Sequence, residues 1–383
     1  MNIVKRVNNK IARTYTEKYL LRRGVRNSYI RRGLAQSLIY DWKHCGKSTK
    51  QKIWAIKRGF LPSMRDMYGL NDQNYEGFLS DIDYASIFPL NPSFQCWLDD
   101  KVTTRFVLQD SRLKDFLPKY YFYIDNAGRY SYLMDFDESL GRNADALYNI
   151  LKQEKVLAMK PMAGSQGKGF IKLEFKDSEV YANDEKLNPS EFNQLKDSLK
   201  GYIVTEYCRQ HSQLDKVWPD SESTLRVVVA KIKDQYGGGE SKAFVSYVRF
   251  GSSLSKTTSN MSQGGLGVPF DFETGVFCDG FYWNEKFVKN GELKRDTHPD
   301  TNVRLIGEKL PNWDIVKKGL YDMADYFAPL EYFGFDVIIT EDGFKICEIN
   351  SMPRIVEEQI MFGPILKNPF ANRFYKGKLS QVK

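Results

Sequence analysis

The sequence predicts an α/β or α+β body behind a basic, mainly helical N-terminal region. Three observations carry this. From Asp99 onward, short apolar strands and helices alternate. Before about residue 95 the apolar residues recur at helical spacing, over 28–45 and again over 49–58. Near the C-terminus, FGFDVIITEDGFKICEINSMPR (333–354) reads as two apolar strands joined at Glu341-Asp342-Gly343, and Asp-Gly between such runs is a hairpin signal.

A chain of 383 residues is long enough for two or three domains with a large core. Five scattered cysteines (Cys45, Cys96, Cys208, Cys278, Cys347) form no CxxC, which argues against zinc and against a disulfide framework and fits a reducing cytosol. No apolar run reaches the roughly 18 residues that a membrane span needs. The first residues lack the apolar stretch of a secretory signal.

Charge is unevenly spread. The first sixty residues hold sixteen Lys or Arg against Glu17 and Asp41, a net of +14, whereas the whole chain is +8. Ile3, Val7, Ile11, Tyr15, Tyr19 and Leu20 recur between those charges at helical spacing. Three readings follow: a basic amphipathic segment on an anionic membrane, a solvated basic face packed on the body, or a nucleic-acid arm. The last is disfavoured because no nucleic-acid module accompanies the charge, so no nucleic-acid partner is expected.

A turn-rich stretch with Pro62, Gly69, Pro89 and Pro92 follows, and then DDKVTTRFVLQ reads as a helix with Lys101 at its start. VLAMKPMAGSQGKGFIKLEF gives a strand ending in Lys160-Pro161, a loop of Gly164, Ser165, Gln166, Gly167, Lys168 and Gly169, and a second strand. Glycines let backbone N–H groups approach phosphate oxygens, and Lys160 adds a fixed charge. No Gly-Lys-Ser/Thr opens a helix and no helix follows the loop, which excludes the Walker A and Rossmann patterns. A plain surface hairpin is the alternative. Val204-Thr205-Glu206-Tyr207-Cys208 is an apolar strand running into an acid. Gly237-Gly238-Gly239 reads as a tight turn between LRVVVAKI and KAFVSYVRF, and 286–311 reads as a polar loop. In the last hairpin Asp336 returns beside Glu348, and Glu348 and Asn350, two apart, share a face. Such hard oxygen ligands suit Mg²⁺; an ordinary hairpin with polar ends is again the alternative.

Taken in order, these pieces resemble the ATP-grasp superfamily over roughly residues 99–365. Lys101 is similar to its first phosphate-contacting lysine and Lys160 to its second, ahead of the glycine lid. Glu206, Tyr207 and Cys208 resemble the adenine hinge, where backbone groups of Glu206 and Cys208 would read the base. Asp336, Glu348 and Asn350 resemble its metal triad, D…E-x-N. A narrower likeness is to the sugar-transfer-associated branch, which includes enzymes of teichuronopeptide type. It rests on Ser221 or Ser223 through Thr224 to Arg226, on Asn260 through Gly264 and Gly265, and on Asp271 to Gly275.

The resemblance implies an α+β ATP-grasp fold, two subdomains clamping ATP. Residues 1–95 would form the helical region, 96–205 the lid subdomain and 206–383 the subdomain with the metal and substrate sites. It implies ATP and two Mg²⁺ ions as cofactors and an ATP-dependent ligase that activates a carboxylate as an acyl phosphate and joins it to an amine. The partners would be a small-molecule or sugar-linked carboxylate and an amine, in surface polysaccharide biosynthesis, within a cytoplasmic setting and with peripheral membrane contact. Arg226 and Arg354 are the candidate catalytic residues. Thr224 and Asn260 would bind substrate, the N–H groups of Gly264 and Gly265 would support an oxyanion, and His211 would orient a loop or the ribose. A hydroxyl-phosphorylating kinase and a non-catalytic nucleotide-binding scaffold stay open as alternatives. Stacking of Phe281, Tyr282 or Trp283 on a sugar competes with core packing.

Overall fold

The computed structural model describes residues 3–162, 169–255, 258–288 and 292–382. Helices α1 (Ile3–Arg22), α2 (Ser28–His44) and α3 (Thr49–Lys57) open the chain. Asn27 caps α2 by accepting from the Ile30 N–H, and Ser48 with Gln51 forms a reciprocal capping box on α3. Leu20, Val25, Ala35 and Leu38 pack with Ile82 and Ala85 of α4 (Asp81–Ser86) into a small core of their own. Helix α5 (Lys101–Val107) starts at Asp100, whose side chain accepts from the Thr103 N–H.

Two antiparallel sheets form the body, so the architecture is α+β. The first runs through β1 (Tyr120–Ile124), β2 (Tyr130–Tyr132), β3 (Val156–Pro161), β4 (Ile171–Lys176), β5 (Glu179–Ala182), β6 (Glu185–Leu187) and β7 (Tyr202–Glu206), in the order β2-β1-β7-β3-β4-β5-β6. Helices α6 (Ala146–Glu154) and α7 (Pro189–Ser198) lie in this part of the chain, and Leu147, Ile150, Leu151 and Phe192 join Leu157, Met159 and Val204 in its core. The second contains β8 (Thr224–Lys233), β9 (Gly239–Phe250), β10 (Leu266–Pro269), β11 (Phe281–Trp283), β12 (Lys294–Arg295), β13 (Tyr332–Thr340) and β14 (Gly343–Asn350), in the order β12-β11-β10-β9-β8-β13-β14.

The apolar run LRVVVA is explained by burial on both faces. Leu225, Val227 and Val229 face one core, shared with α8 (Trp313–Tyr326), while Val228 and Ala230 face another, shared with α10 (Pro369–Val382). At Gly237-Gly238-Gly239 the turn is tight: the Asp234 side chain accepts from the N–H groups of Tyr236 and Gly238, and Gly237 has φ 84°. The region 286–311 is mostly loop, with β12 as a short strand that sequence patterning does not indicate.

The N-terminal region is fastened to the second sheet by specific bonds. Asn91 exchanges hydrogen bonds with the Tyr332 backbone, Gln359 of α9 (Val356–Phe362) bonds both backbone groups of Leu79, and the Tyr84 hydroxyl donates to the Pro353 carbonyl. Lys345 of β14 spans toward the first sheet, donating to the carbonyls of Asp115 and Leu117 and approaching Glu206 at 3.8 Å.

Candidate nucleotide and substrate cavity

A cavity of about 550 Å³ opens between the two sheets. Its walls bring together Lys101 from the start of α5, Lys160 from the end of β3, the 206–208 segment after β7, Thr224 and Arg226 of β8, and Asp336, Glu348 and Asn350 of the hairpin. Asn260 and Arg354 also line it. Residues separated by more than 200 positions thus share one space.

The hairpin geometry depends on a bulge. Counting back from the turn, Thr340 pairs with Gly343 and Val337 with Ile346, which alone would set Asp336 opposite Cys347. A register shift between Asp336 and Val337 places Glu348 opposite Asp336 instead. Such an extra residue re-aims side chains. Cys347 is the residue passed over, and its thiol, together with burial, pushes the Cys208 thiol upward in pKa.

The carboxylates are held by cations. Asp336 accepts from Arg226 Nε at 2.6 Å and Nη2 at 3.2 Å, and from Arg249 Nη2 at 3.1 Å. Burial alone would raise the Asp336 carboxyl, but the two guanidiniums outweigh it and keep it below the ordinary carboxylate range. Lys101 Nζ lies 3.3 Å from Glu348 Oε1. Asn350 donates to the Gly334 carbonyl at 3.4 Å, so its amide oxygen is the atom that would meet a cation. The donor set is hard oxygen and fits Mg²⁺ chemically, but an ion binding Asp336 displaces it from two arginines. Among the described residues, no three His, Cys, Asp or Glu side chains form a metal cluster; the triad depends on its amide.

Several expectations need correction. The N–H groups of Gly264 and Gly265 are spent inside their own turn, on the carbonyls of Met261 and Asn260, so they are not oxyanion donors. Their lack of a side chain serves packing: a Cβ on Gly265 would sit 2.4 Å from the Ser259 carbonyl oxygen. His211 caps the short helix after it, its Nδ1 accepting from the Gln213 N–H, while its Nε2 lies 3.3 Å from Glu341. It therefore does not orient a ribose at the cavity wall. In the 206–208 segment, the Glu206 N–H already donates to the Lys119 carbonyl and the Glu206 carbonyl accepts from the Thr205 hydroxyl at 3.1 Å, so the N–H expected to read a base is taken up. Gly169 has φ 78° and lies near Pro161. Gly164, Ser165, Gln166, Gly167 and Lys168 lie outside the described residues. Tyr282 donates to Asp279 and Phe281 is buried, so core packing explains both.

Arg249, Tyr247 and Glu222 line the cavity and were not singled out by sequence. Glu222 accepts from the Tyr207 hydroxyl at 2.7 Å, and burial raises its carboxyl. Arg249 Nε and Ser221 Oγ are buried polar atoms with no hydrogen-bond partner among the described residues, both at this cavity. Unsatisfied donors of this kind mark places where a bound ligand can supply the missing acceptor.

Beneath Tyr247 lies Glu358, which is 1% exposed. The Tyr247 hydroxyl donates to its Oε1 at 3.4 Å, and its Oε2 is buried with no hydrogen-bond partner among the described residues. Burial, with the neighbouring Glu357 charge, pushes its carboxyl up from 4.5 to about 8. The folded state therefore binds a proton between those values that the unfolded chain lacks. Its contribution to stability is complete below 4.5 and is lost as pH rises through about 8. Glu358→Gln mimics the neutral acid, so wild-type stability should fall relative to the variant by on the order of 2–4 kcal/mol from weakly acid to alkaline pH. Denaturant midpoints across that range test this, and parallel curves would place the proton elsewhere.

A family model described as sugar-transfer associated ATP-grasp matches residues 87–373. No curated protein sequence matches the chain. Among solved structures, it is similar to the ATP-grasp ligase PsnB complexed with precursor peptide PsnA2 and AMPPNP, at 11% identity over 78% of this chain and 67% of that one, with a TM-score of 0.39. It is also similar to the macrocyclase MdnC bound with precursor peptide MdnA from Microcystis aeruginosa MRC, at 11% identity over 82% and 73%, TM-score 0.38. A third is D-alanyl-alanine synthetase A from Vibrio cholerae O1 biovar eltor, at 11% identity over 78% and 67%, TM-score 0.38.

Proposed function

Because this chain belongs to the sugar-transfer associated ATP-grasp family, we propose that it is an ATP-dependent carboxylate–amine ligase working in surface polysaccharide biosynthesis, joining an amino acid or other amine to a sugar acid. The observation that carries this reading is the charge pattern of this cavity. Lys101, 3.3 Å from Glu348, and Lys160, at the end of β3, bring two ammonium groups to the cavity, whereas Arg226 and Arg249 converge on Asp336. Two lysines suit the phosphates of ATP, and two guanidiniums suit a carboxylate and the phosphoryl group it receives.

In this reading the substrate carboxylate oxygen attacks the γ-phosphorus and ADP leaves. The amine then attacks the acyl carbon, phosphate departs and an amide remains. Phosphoryl transfer of this kind depends on positioning and neutralisation more than on covalent help from side chains. Lys101 and Lys160 would hold the nucleotide phosphates in line. Arg226 and Arg249 would orient the carboxylate and neutralise charge as it moves, and Arg354, at the cavity rim beside Glu357, would bind the acid's outer groups. Thr224, hydrogen-bonded to Ser259, and Asn260 would contact the substrate body. Two bound Mg²⁺ ions, with Asp336, Glu348 and Asn350 as ligands, would supply charge neutralisation across the β- and γ-phosphates. The buried or scattered free cysteines accord with a reducing, cytoplasmic setting.

ADP release tests the proposal. With a panel of uronic acids and their nucleotide conjugates, ADP and phosphate should appear only when a carboxylate and an amine are both supplied. ADP formation with a hydroxyl acceptor and no free phosphate would make the protein a kinase. Nucleotide binding without turnover for any pair would leave a scaffold.

A further inference from the structure

The basic N-terminal helices leave a particular surface uncovered. Helix α1 buries Leu20 against α2 and α4, while Ile11, Tyr15, Lys18 and Arg22, spaced i, i+4, i+7 and i+11, form one exposed stripe on the other side. Ile11 is 49% and Tyr15 71% exposed, and Leu21 beside the stripe is 50% exposed. On α2 the face turned away from Ala35 and Leu38 repeats the pattern. Tyr29 and Tyr40, three turns apart, are 83% and 66% exposed, with Arg32 between them.

The acids of this region do not oppose its charge. Glu17 is bonded by Arg13 at 2.8 Å, and Asp41 accepts from the Ser63 N–H. A merely solvated basic face explains the lysines and arginines but not large aliphatic and tyrosine side chains about half exposed or more among them. Exposed apolar groups interleaved with Lys and Arg, whose alkyl stems reach past them, match the boundary between acyl chains and anionic headgroups. Tyrosine, with an apolar ring and a polar tip, suits the same depth. We propose that the exposed faces of α1 and α2 dock on an anionic lipid bilayer.

A continuous set of contacts joins the docking surface to the cavity. α2 and α1 pack on α4, and Tyr84 of α4 bonds Pro353, the residue before Arg354 at the cavity rim. Docking therefore fixes the cavity's orientation relative to the bilayer, whatever substrate it takes.

The test is co-sedimentation of the full chain with vesicles. One set is pure phosphatidylcholine and the other contains one-third phosphatidylserine, each at low and high salt. The expected result is binding to the phosphatidylserine vesicles that weakens with salt. Lys18→Glu with Arg22→Glu should lower it by about thirtyfold or more, and Ile11→Ser with Tyr15→Ser by about tenfold. All four positions are exposed, so unfolding midpoints should match wild type. Equal binding to both vesicle types, binding unchanged in both variants, displacement by an RNA oligonucleotide at lower concentration than soluble lipid headgroup, or a dimer that the variants dissolve would each overturn the proposal. The readout is independent of ligase activity.

Discussion

Glu348→Gln should lower ADP release by about a thousandfold while leaving the unfolding midpoint nearly unchanged. The separation of the two effects follows from where Glu348 lies. Its side chain is 37% exposed and its bond to Lys101 is a single contact at 3.3 Å. An ion pair of that exposure contributes at most about 1 kcal/mol to stability. Its carboxylate, however, is one of the two from the hairpin that line the cavity. Glutamine keeps the shape but removes the charge that a divalent ion needs. Glu341→Gln, on the same hairpin but bonded to Ser212 and His211 away from the cavity, is the control and should keep full turnover. If both variants retain activity, Glu348 is not a metal ligand.

How far this site was legible in the sequence depends on register. The hairpin itself was legible, because alternating apolar residues and an Asp-Gly turn dictate it. Asp336 and Glu348 were correctly expected side by side, although simple counting from the turn pairs Asp336 with Cys347 and only the bulge corrects it. Arg249 was lost to the same effect on the neighbouring pair. Between β8 and β9 the register slips at Val228/Val229, so Arg226 meets Tyr247 and Thr224 meets Arg249. Without that slip Arg226 would face Ser246, and a one-residue error moves every side chain to the other face. Gly264 and Gly265 misled for another reason. Sequence shows that an N–H exists but not that a local turn has already used it. The helical N-terminal region was legible from spacing alone, whereas its exposed apolar stripe was not, since the same periodicity describes a buried face and an open one.

The arginine pair gives the largest expected stability effect. Arg226→Met should destabilise the fold by about 2–3 kcal/mol, because Asp336, 7% exposed, keeps Arg249 but loses its closer partner. Asp336→Asn should cost more, about 3–5 kcal/mol, because it strands two guanidiniums that are each 12% exposed. The double variant Arg226→Met/Asp336→Asn should cost less than the sum, since a single arginine is left without a carboxylate where Asp336→Asn leaves two. Arg226→Lys should not restore stability, because an ammonium cannot make both the Nε and Nη2 contacts to one carboxylate. Denaturant midpoints of the three single variants and the double variant provide the cycle, and strict additivity would mean the bonds are geometrically present but energetically idle. The same numbers bear on function. A carboxylate that holds two arginines by several kcal/mol releases them only when something else neutralises both it and them. A divalent ion on Asp336 together with a substrate carboxylate on Arg226 and Arg249 meets both needs at once. Mg²⁺ and the acid should therefore bind cooperatively, each tightening the other by the same factor, and that coupling should vanish in the double variant.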